Sequence, residues 1–278
     1  MAFTIFGAAA ALLLSAGQPV DSQALPAASS LTYADLADLA LTAPVVAHVR
    51  VRKADALRAR EARNLAPGHR RFLVAADVVA LIRGDAVPPR VSYLVDLPND
   101  NRGRAARLRK RSEFLILAQA AGAAPGELRL AAPDAQIPFT PGDGARLREM
   151  VRESLRPGAA PRITGIGRAF HVPGSLPGES ETQFFLQTAD NRPISLSVLR
   201  RPGEAPRWSV ALGEMVDAAA ETPRRDTLLW YRLACTLPAA LPPQSLADAS
   251  PSEATAIRAD YRLVMQQLGP CVRNRVRR

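Results

Sequence analysis

The sequence is sparing with several residue types. It holds two cysteines (Cys235 and Cys271), three histidines (His48, His69 and His171) and two lysines (Lys53 and Lys110). Aromatic residues make up 5% of the chain. After the N-terminal stretch, no apolar run approaches the roughly 20 residues that a membrane-spanning helix needs. Each shortage excludes something. Neither cysteine has a histidine near it in sequence, which argues against a zinc site. Scarce aromatics argue against single-stranded nucleic acid, whose bases want stacking platforms. Without a second apolar run, no transmembrane span is expected once the N-terminal stretch is removed.

That stretch is the most informative part of what is present. Phe3 to Gly17 is apolar and uncharged, Pro19 follows, and Ser22-Gln23-Ala24 offers the small residues a signal peptidase reads. Residues 1–24 read as a signal peptide cleaved after Ala24, although no Lys or Arg precedes the apolar run. The alternative is an uncleaved anchor. Export places the rest in the periplasm or outside the cell. In such an oxidising compartment, Cys235 and Cys271 are expected to be bridged. Closing that loop is worth about 3–4 kcal/mol in the chain-entropy model.

The net charge is +10, from 36 basic and 26 acidic residues. Basic balance suggests anionic partners. Most of the charge is spread evenly, and its arginine-rich character also fits a coding bias. Two local runs stand out, Arg102 to Arg111 (RGRAARLRKR) and the tail Arg273 to Arg278 (RNRVRR). Such runs are ordinarily solvated faces or frayed ends.

The hydropathy pattern predicts a mostly β chain of α+β type. Thr32 and Asp35 suggest a capped helix ended by Pro44. Val45, Ala47, Val49 and Val51 alternate with Val46, His48 and Arg50, as in a half-buried strand with His48 facing out. Residues 53–69 admit a strand extension, a short helix or a loop. Further strands are expected at Phe72 to Ile82, Arg90 to Leu97, Glu113 to Gln119 and Glu127 to Ala131. A helix capped by Thr140 with Pro141 at its first position follows. Residues 156–162 read as a Pro/Gly linker. It would separate a first domain (25–155) from a second (163–278).

The second domain reads as an antiparallel sandwich or barrel. Its strands are expected at Ile163 to Val172, Thr182 to Thr188, Ile194 to Leu199, Arg207 to Leu212 and Thr227 to Leu237. The chain then closes on a helix. Ser250, Pro251 and Glu253 mark its start, Ile257, Tyr261, Val264 and Leu268 its apolar face, and Gly269-Pro270 its stop. A Cys235–Cys271 bridge would pin this helix to the last strand.

Residues 31–131 resemble the netrin-like, or tissue-inhibitor-of-metalloproteinases-like, domain. The resemblance rests on LTAPVVAHVRV (Leu41 to Val51), FLVAADVVALIRGD (Phe72 to Asp85) and RSEFLILAQ (Arg111 to Gln119). It implies a five-stranded OB-type barrel. It does not imply protease inhibition, because that mechanism needs an N-terminal cysteine and none precedes Cys235. Fold alone does not give function.

No catalytic pattern is complete. His171 has Ser175, Ser180 and Asp190 downstream, but neither serine lies in a Gly-x-Ser-x-Gly elbow. His48 and His69 lack partners at metal-ligand spacing. Asp96, Asn99, Asp100 and Asn101 cluster oxygens in one turn, yet Pro98, Arg102 and Arg104 interrupt any calcium-loop pattern. Gly165-Ile166-Gly167 and Gly142-Asp143-Gly144 lack the third glycine or lysine of a phosphate loop. No cofactor or metal is expected.

What remains is Arg102, Arg104, Arg107, Arg109, Lys110 and Arg111. On a barrel rim these cations would take an anionic ligand. The sequence thus reads as an exported, non-catalytic binding protein for an anionic envelope lipid, a glycan or another envelope protein. The rival readings are a serine hydrolase using His171 and a purely structural envelope component.

Overall fold

In the computed structural model, residues 31–58, 60–85, 87–100, 102–104, 107–122, 124–212 and 222–275 are described. The signal-peptide reading of residues 1–24 falls outside them. Helix α1 (Tyr33–Ala40) leads in, and its capping box joins Thr32 and Asp35. Five strands then build the barrel: β1 (Val45–Ala56), β2 (His69–Arg83), β3 (Arg90–Pro98), β4 (Glu113–Ala120) and β5 (Glu127–Leu130). They run in the order β1-β2-β3-β5-β4, and β4 pairs back onto β1 to close the ring. The barrel of OB type expected for this half is therefore present. A short strand β6 (Gln136–Pro138) extends the sheet from β4.

The alternation of β1 sets the inside of the barrel. Val45, Ala47, Val49 and Val51 point inward with Val74 and Tyr93. Register shifts in the β1–β2 ladder fall at 46/47, 48/49 and 51/53, and such bulges let a long hairpin coil into a ring. The strand runs on to Ala56, so the first part of the ambiguous 53–69 stretch is strand extension.

Closure depends on one glycine. Gly126 enters β5 with a φ of +86°, and its carbonyl accepts from the Ser92 N–H at 2.8 Å. A Cβ there would lie 2.7 Å from the Arg90 carbonyl oxygen and 2.8 Å from Pro88 Cγ. Left-handed backbone alone costs an L residue about 1–2 kcal/mol. With the backbone clash added, Gly126→Ala should destabilise the protein by about 2 kcal/mol or more. A urea midpoint unchanged in this variant would refute the role given to Gly126.

Helix α2 (Pro141–Leu155) follows, with Thr140 as its cap. Residues 156–162 turn from it into the second sheet: β7 (Ile163–Pro173), β8 (Ser180–Thr188), β9 (Ile194–Arg200) and β10 (Arg207–Ala211). These form one antiparallel meander, backed by helices instead of a second sheet. The fifth strand expected at 227–237 is instead helix α3 (Leu228–Ala234). Its apolar run suits either period, and local and tertiary contacts decide. Thr227 caps the first turn, and the Trp230 indole donates to the Leu268 carbonyl at 2.8 Å. A 3-10 turn (Pro243–Leu246) leads to helix α4 (Pro251–Leu268), the long C-terminal helix the sequence predicts.

One apolar cluster draws on both halves. It takes Leu36 from α1, Val46 and Leu117 from the barrel wall, Met150 from α2, Phe184 and Leu196 from the second sheet, and Ile257 from α4. This explains a correction at His48. The even face of β1 does not meet solvent: Val46 is 0% and His48 6% exposed. No helix among the described residues is long and apolar enough to cross a membrane.

Cys235 and Cys271 form a disulfide, with Cα atoms 5.1 Å apart. The bridge joins the C-cap of α3 to the segment after α4, so its anchor is a helix end and not a last strand.

Candidate functional site

The two basic runs fare differently in the fold. The C-terminal run is not frayed as far as Arg275. The Arg273 guanidinium donates to both carboxylate oxygens of Asp38, at 2.7 and 3.2 Å. Arg275 holds Asp134 in the same way, at 2.8 and 2.7 Å. The backbone N–H groups of Asn274 and Arg275 donate to the fully buried carboxylate of Asp35. These tail charges are therefore spent inside the fold. Residues 276–278 lie outside the described residues.

The run between β3 and β4 is the opposite case. Its entry is a turn built on Asp100, whose carboxylate accepts from the N–H groups of Arg102 and Arg104 and from Arg104 Nε. Those donors, the Arg104 N–H foremost, hold the Asp100 carboxyl below its usual range. Its exit is pinned by Arg111, which sits at φ +68° and donates its N–H to the Val51 carbonyl at 2.8 Å. Between these anchors, Arg102, Arg107, Arg109, Lys110 and Arg111 are exposed, with no acidic partner among the described residues. Three arginines elsewhere on the barrel are matched: Arg50 with Glu113, Arg52 with Asp77, and Arg71 with Asp96. The loop thus concentrates unneutralised cations on one rim of the barrel.

Two acids of the oxygen-rich turn are engaged by arginines. Asp96 is held by Arg71 at 2.6 and 2.7 Å, and Asp100 by its own loop arginines. Among the described residues, no group of three or more acidic, histidine or cysteine side chains could hold a metal ion. His48 stacks on Phe139, with ring centroids 3.7 Å apart, and its Nε2 meets Glu113 at 2.8 Å. Arg50 and then His48 keep the Glu113 carboxyl below its usual range. His48 is therefore a packed core histidine. His69 lies in its turn, with Nδ1 3.0 Å from the Pro67 carbonyl.

His171 has a more organised setting. Antiparallel pairing places it opposite Thr182, and its Nδ1 lies 2.8 Å from Thr182 Oγ1. That hydroxyl contacts Asp260 of α4 at 2.5 Å. Asp260 is also held by Arg200 of β9, with Nε at 2.7 Å and Nη2 at 2.5 Å. The chain borders an open cleft of about 450 Å3, lined by His171, Pro173, Glu179, Ser180, Arg200 and Ala256 among others.

Of the hydrolase partners weighed from sequence, only Ser180 shares this cleft. Asp190 lies past the far end of β8 and is paired with Arg192 at 2.8 Å. Ser175 lies in the β7–β8 turn and makes no hydrogen bond to His171 among the described residues.

Thr182, Arg200 and Asp260 were not singled out from sequence. One signal was available. Asp260 lies three residues after Ile257 and four before Val264, so helical spacing puts a carboxylate on the apolar stripe of α4. A buried acid in that position requires a partner. Which partner depends on strand pairing that the sequence does not display. The sequence matches no protein-family model and no curated protein, which leaves the chain's own geometry as the ground for a functional reading.

Proposed function

We propose that this chain is an exported, non-catalytic binding protein that uses the basic β3–β4 loop of its barrel to hold an anionic envelope lipid or glycan. One observation carries the reading. The fold neutralises Arg273 and Arg275 of its C-terminal run through Asp38 and Asp134, yet among the described residues no acid pairs with five cations of the loop. Like charges in one loop repel, and an external anion removes that cost. The Cys235–Cys271 bridge supports the export component, since structural disulfides persist in oxidising compartments. The netrin-like reading of residues 31–131 belongs to the same proposal. It is supported by the closed barrel order and by the three sequence patterns given above.

Replacing Arg104, Arg107, Arg109 and Arg111 by Ser tests it. Near an anionic surface each unpaired basic residue is worth about 1 kcal/mol. Arg104 is already paired, so loss of the other three should weaken binding to anionic vesicles at low salt about a hundredfold. The unfolding midpoint should stay put, because these side chains touch nothing in the core. Unchanged vesicle binding would refute the proposal.

A further inference from the structure

The cleft beside His171 supports a second site, independent of the basic loop. Its argument begins with the direction of the hydrogen bonds. Asp260, ion-paired with Arg200, is a carboxylate and can only accept. Thr182 has one hydroxyl proton, so it donates to Asp260 across the 2.5 Å contact. Its oxygen must then accept from His171 at 2.8 Å. A neutral imidazole is thereby fixed with its proton on Nδ1. In that neutral form Nε2 carries a lone pair, and it has no hydrogen-bond partner among the described residues. Both its neighbours in this chain are rigidly held, for Thr182 is 0% and Asp260 1% exposed.

Arg200 borders the same cleft. Its Nε and Nη2 are engaged with Asp260, while Nη1 meets no acceptor among the described residues. Two acids lie close by: Glu179 lines the cleft itself, and Glu253 is near enough to feel the His171 ring. The Glu179 carboxylate folds back toward the Leu176 N–H, and that of Glu253 accepts from the Ser250 N–H in the α4 cap. With the imidazole neutral, the cleft therefore offers one strong donor group and one acceptor.

We infer that this cleft binds inorganic phosphate. A ligand that satisfies both groups needs anionic oxygens for Arg200 and a hydroxyl proton for His171 Nε2. Hydrogen phosphate carries both. Sulfate and simple carboxylates have only acceptors near neutral pH, and they would face the Nε2 lone pair. A phosphate monoester loses its last hydroxyl proton above about pH 6. The P–OH group thus selects free phosphate. Asp260 offsets part of the Arg200 charge, so the affinity expected is modest, with a Kd of about 1 mM.

Nitrogen-15 spectra of the full chain's three imidazoles test this at about pH 8, above the ordinary histidine range near 6.5. The His171 ring should show a protonated Nδ1 and a bare Nε2. Sodium phosphate should shift the His171 resonances saturably and leave those of His48 and His69 in place. Sodium sulfate and methyl phosphate at matched ionic strength should not. Ala256→Met, which fills the cleft from the α4 wall without touching the hydrogen-bond chain, should abolish the phosphate shift at an unchanged unfolding midpoint. An equal response to sulfate, the absence of a phosphate response, or a proton on Nε2 would each overturn the inference. Loss of vesicle binding in the loop variant leaves this site untouched, so the two readings fail separately.

Discussion

Arg200→Met should destabilise the protein by about 3–5 kcal/mol, the penalty for leaving one member of a buried ion pair alone. The asymmetry of the pair drives this expectation. Asp260 is 1% exposed at the side chain and Arg200 37%. Without the guanidinium, the aspartate keeps only the Thr182 hydroxyl. The converse change, Asp260→Leu, should cost less. It frees an arginine whose head already reaches solvent, and it adds apolar volume to a stripe that holds Ile257 and Val264. The double variant should then recover most of the loss, since a buried pair replaced by apolar residues is often neutral in stability. Urea unfolding of the four proteins closes a double-mutant cycle. If Arg200→Met costs no more than Asp260→Leu, the buried carboxylate of Asp260 does not depend on Arg200 for compensation.

The same pair shows where sequence reading succeeds and where it stops. Period-2 alternation locates the barrel strands because one face of each strand is buried, and Val45 to Val51 displays that pattern openly. Capping chemistry is equally local: Thr32 with Asp35, Thr140 with Pro141, and Ser250 with Glu253 each mark a helix start that the fold adopts. Failures occur where distant chain segments decide. Residues 227–237 read as a strand until contacts with α1 and α4 make seven of them a helix. His48 reads as an outward residue until the second core covers its face. Thr182 reads as one more strand threonine, and its role exists only because β7, β8 and α4 meet. The basic loop was legible as a charge run, but its unpaired state was not. Only the fold shows that Asp38 and Asp134 serve the tail, while among the described residues Asp100 alone serves the loop, through Arg104.

The tail itself carries the second large expectation. Replacing Cys235 and Cys271 together by Ser should remove about 3–4 kcal/mol, by the loop-closure entropy of a 36-residue separation. Loss of the bridge also loosens a strap. Residues 271–275 leave the bridge and lie across α1 through Arg273 on Asp38 and two backbone N–H groups on Asp35. The Tyr231 hydroxyl adds a bond to Asp38 at 2.7 Å, and burial together with that carboxylate pushes the phenol up to about 12.

The strap is also acid-sensitive, and the sign follows from Asp35. Burial pushes its carboxyl up, but the N–H donors of Thr32, Asn274 and Arg275 outweigh burial and leave it below its usual range. Asp134 is lowered too, where the Arg275 guanidinium outweighs burial. A lowered folded-state value stabilises the protein above the ordinary aspartate range near 3.9, and this contribution is lost as pH falls below it. Asp35→Asn should therefore flatten the stability–pH curve in that acid window. In the oxidised protein at neutral pH, trypsin should cut slowly after Arg273 and Arg275; reduction or the double Ser variant should speed both cuts many-fold while the barrel stays intact. Equal cleavage with and without the bridge would mean that α1 holds the tail unaided. The disulfide would then act on the unfolded chain alone, and its removal would leave the acid response of Asp35 unchanged.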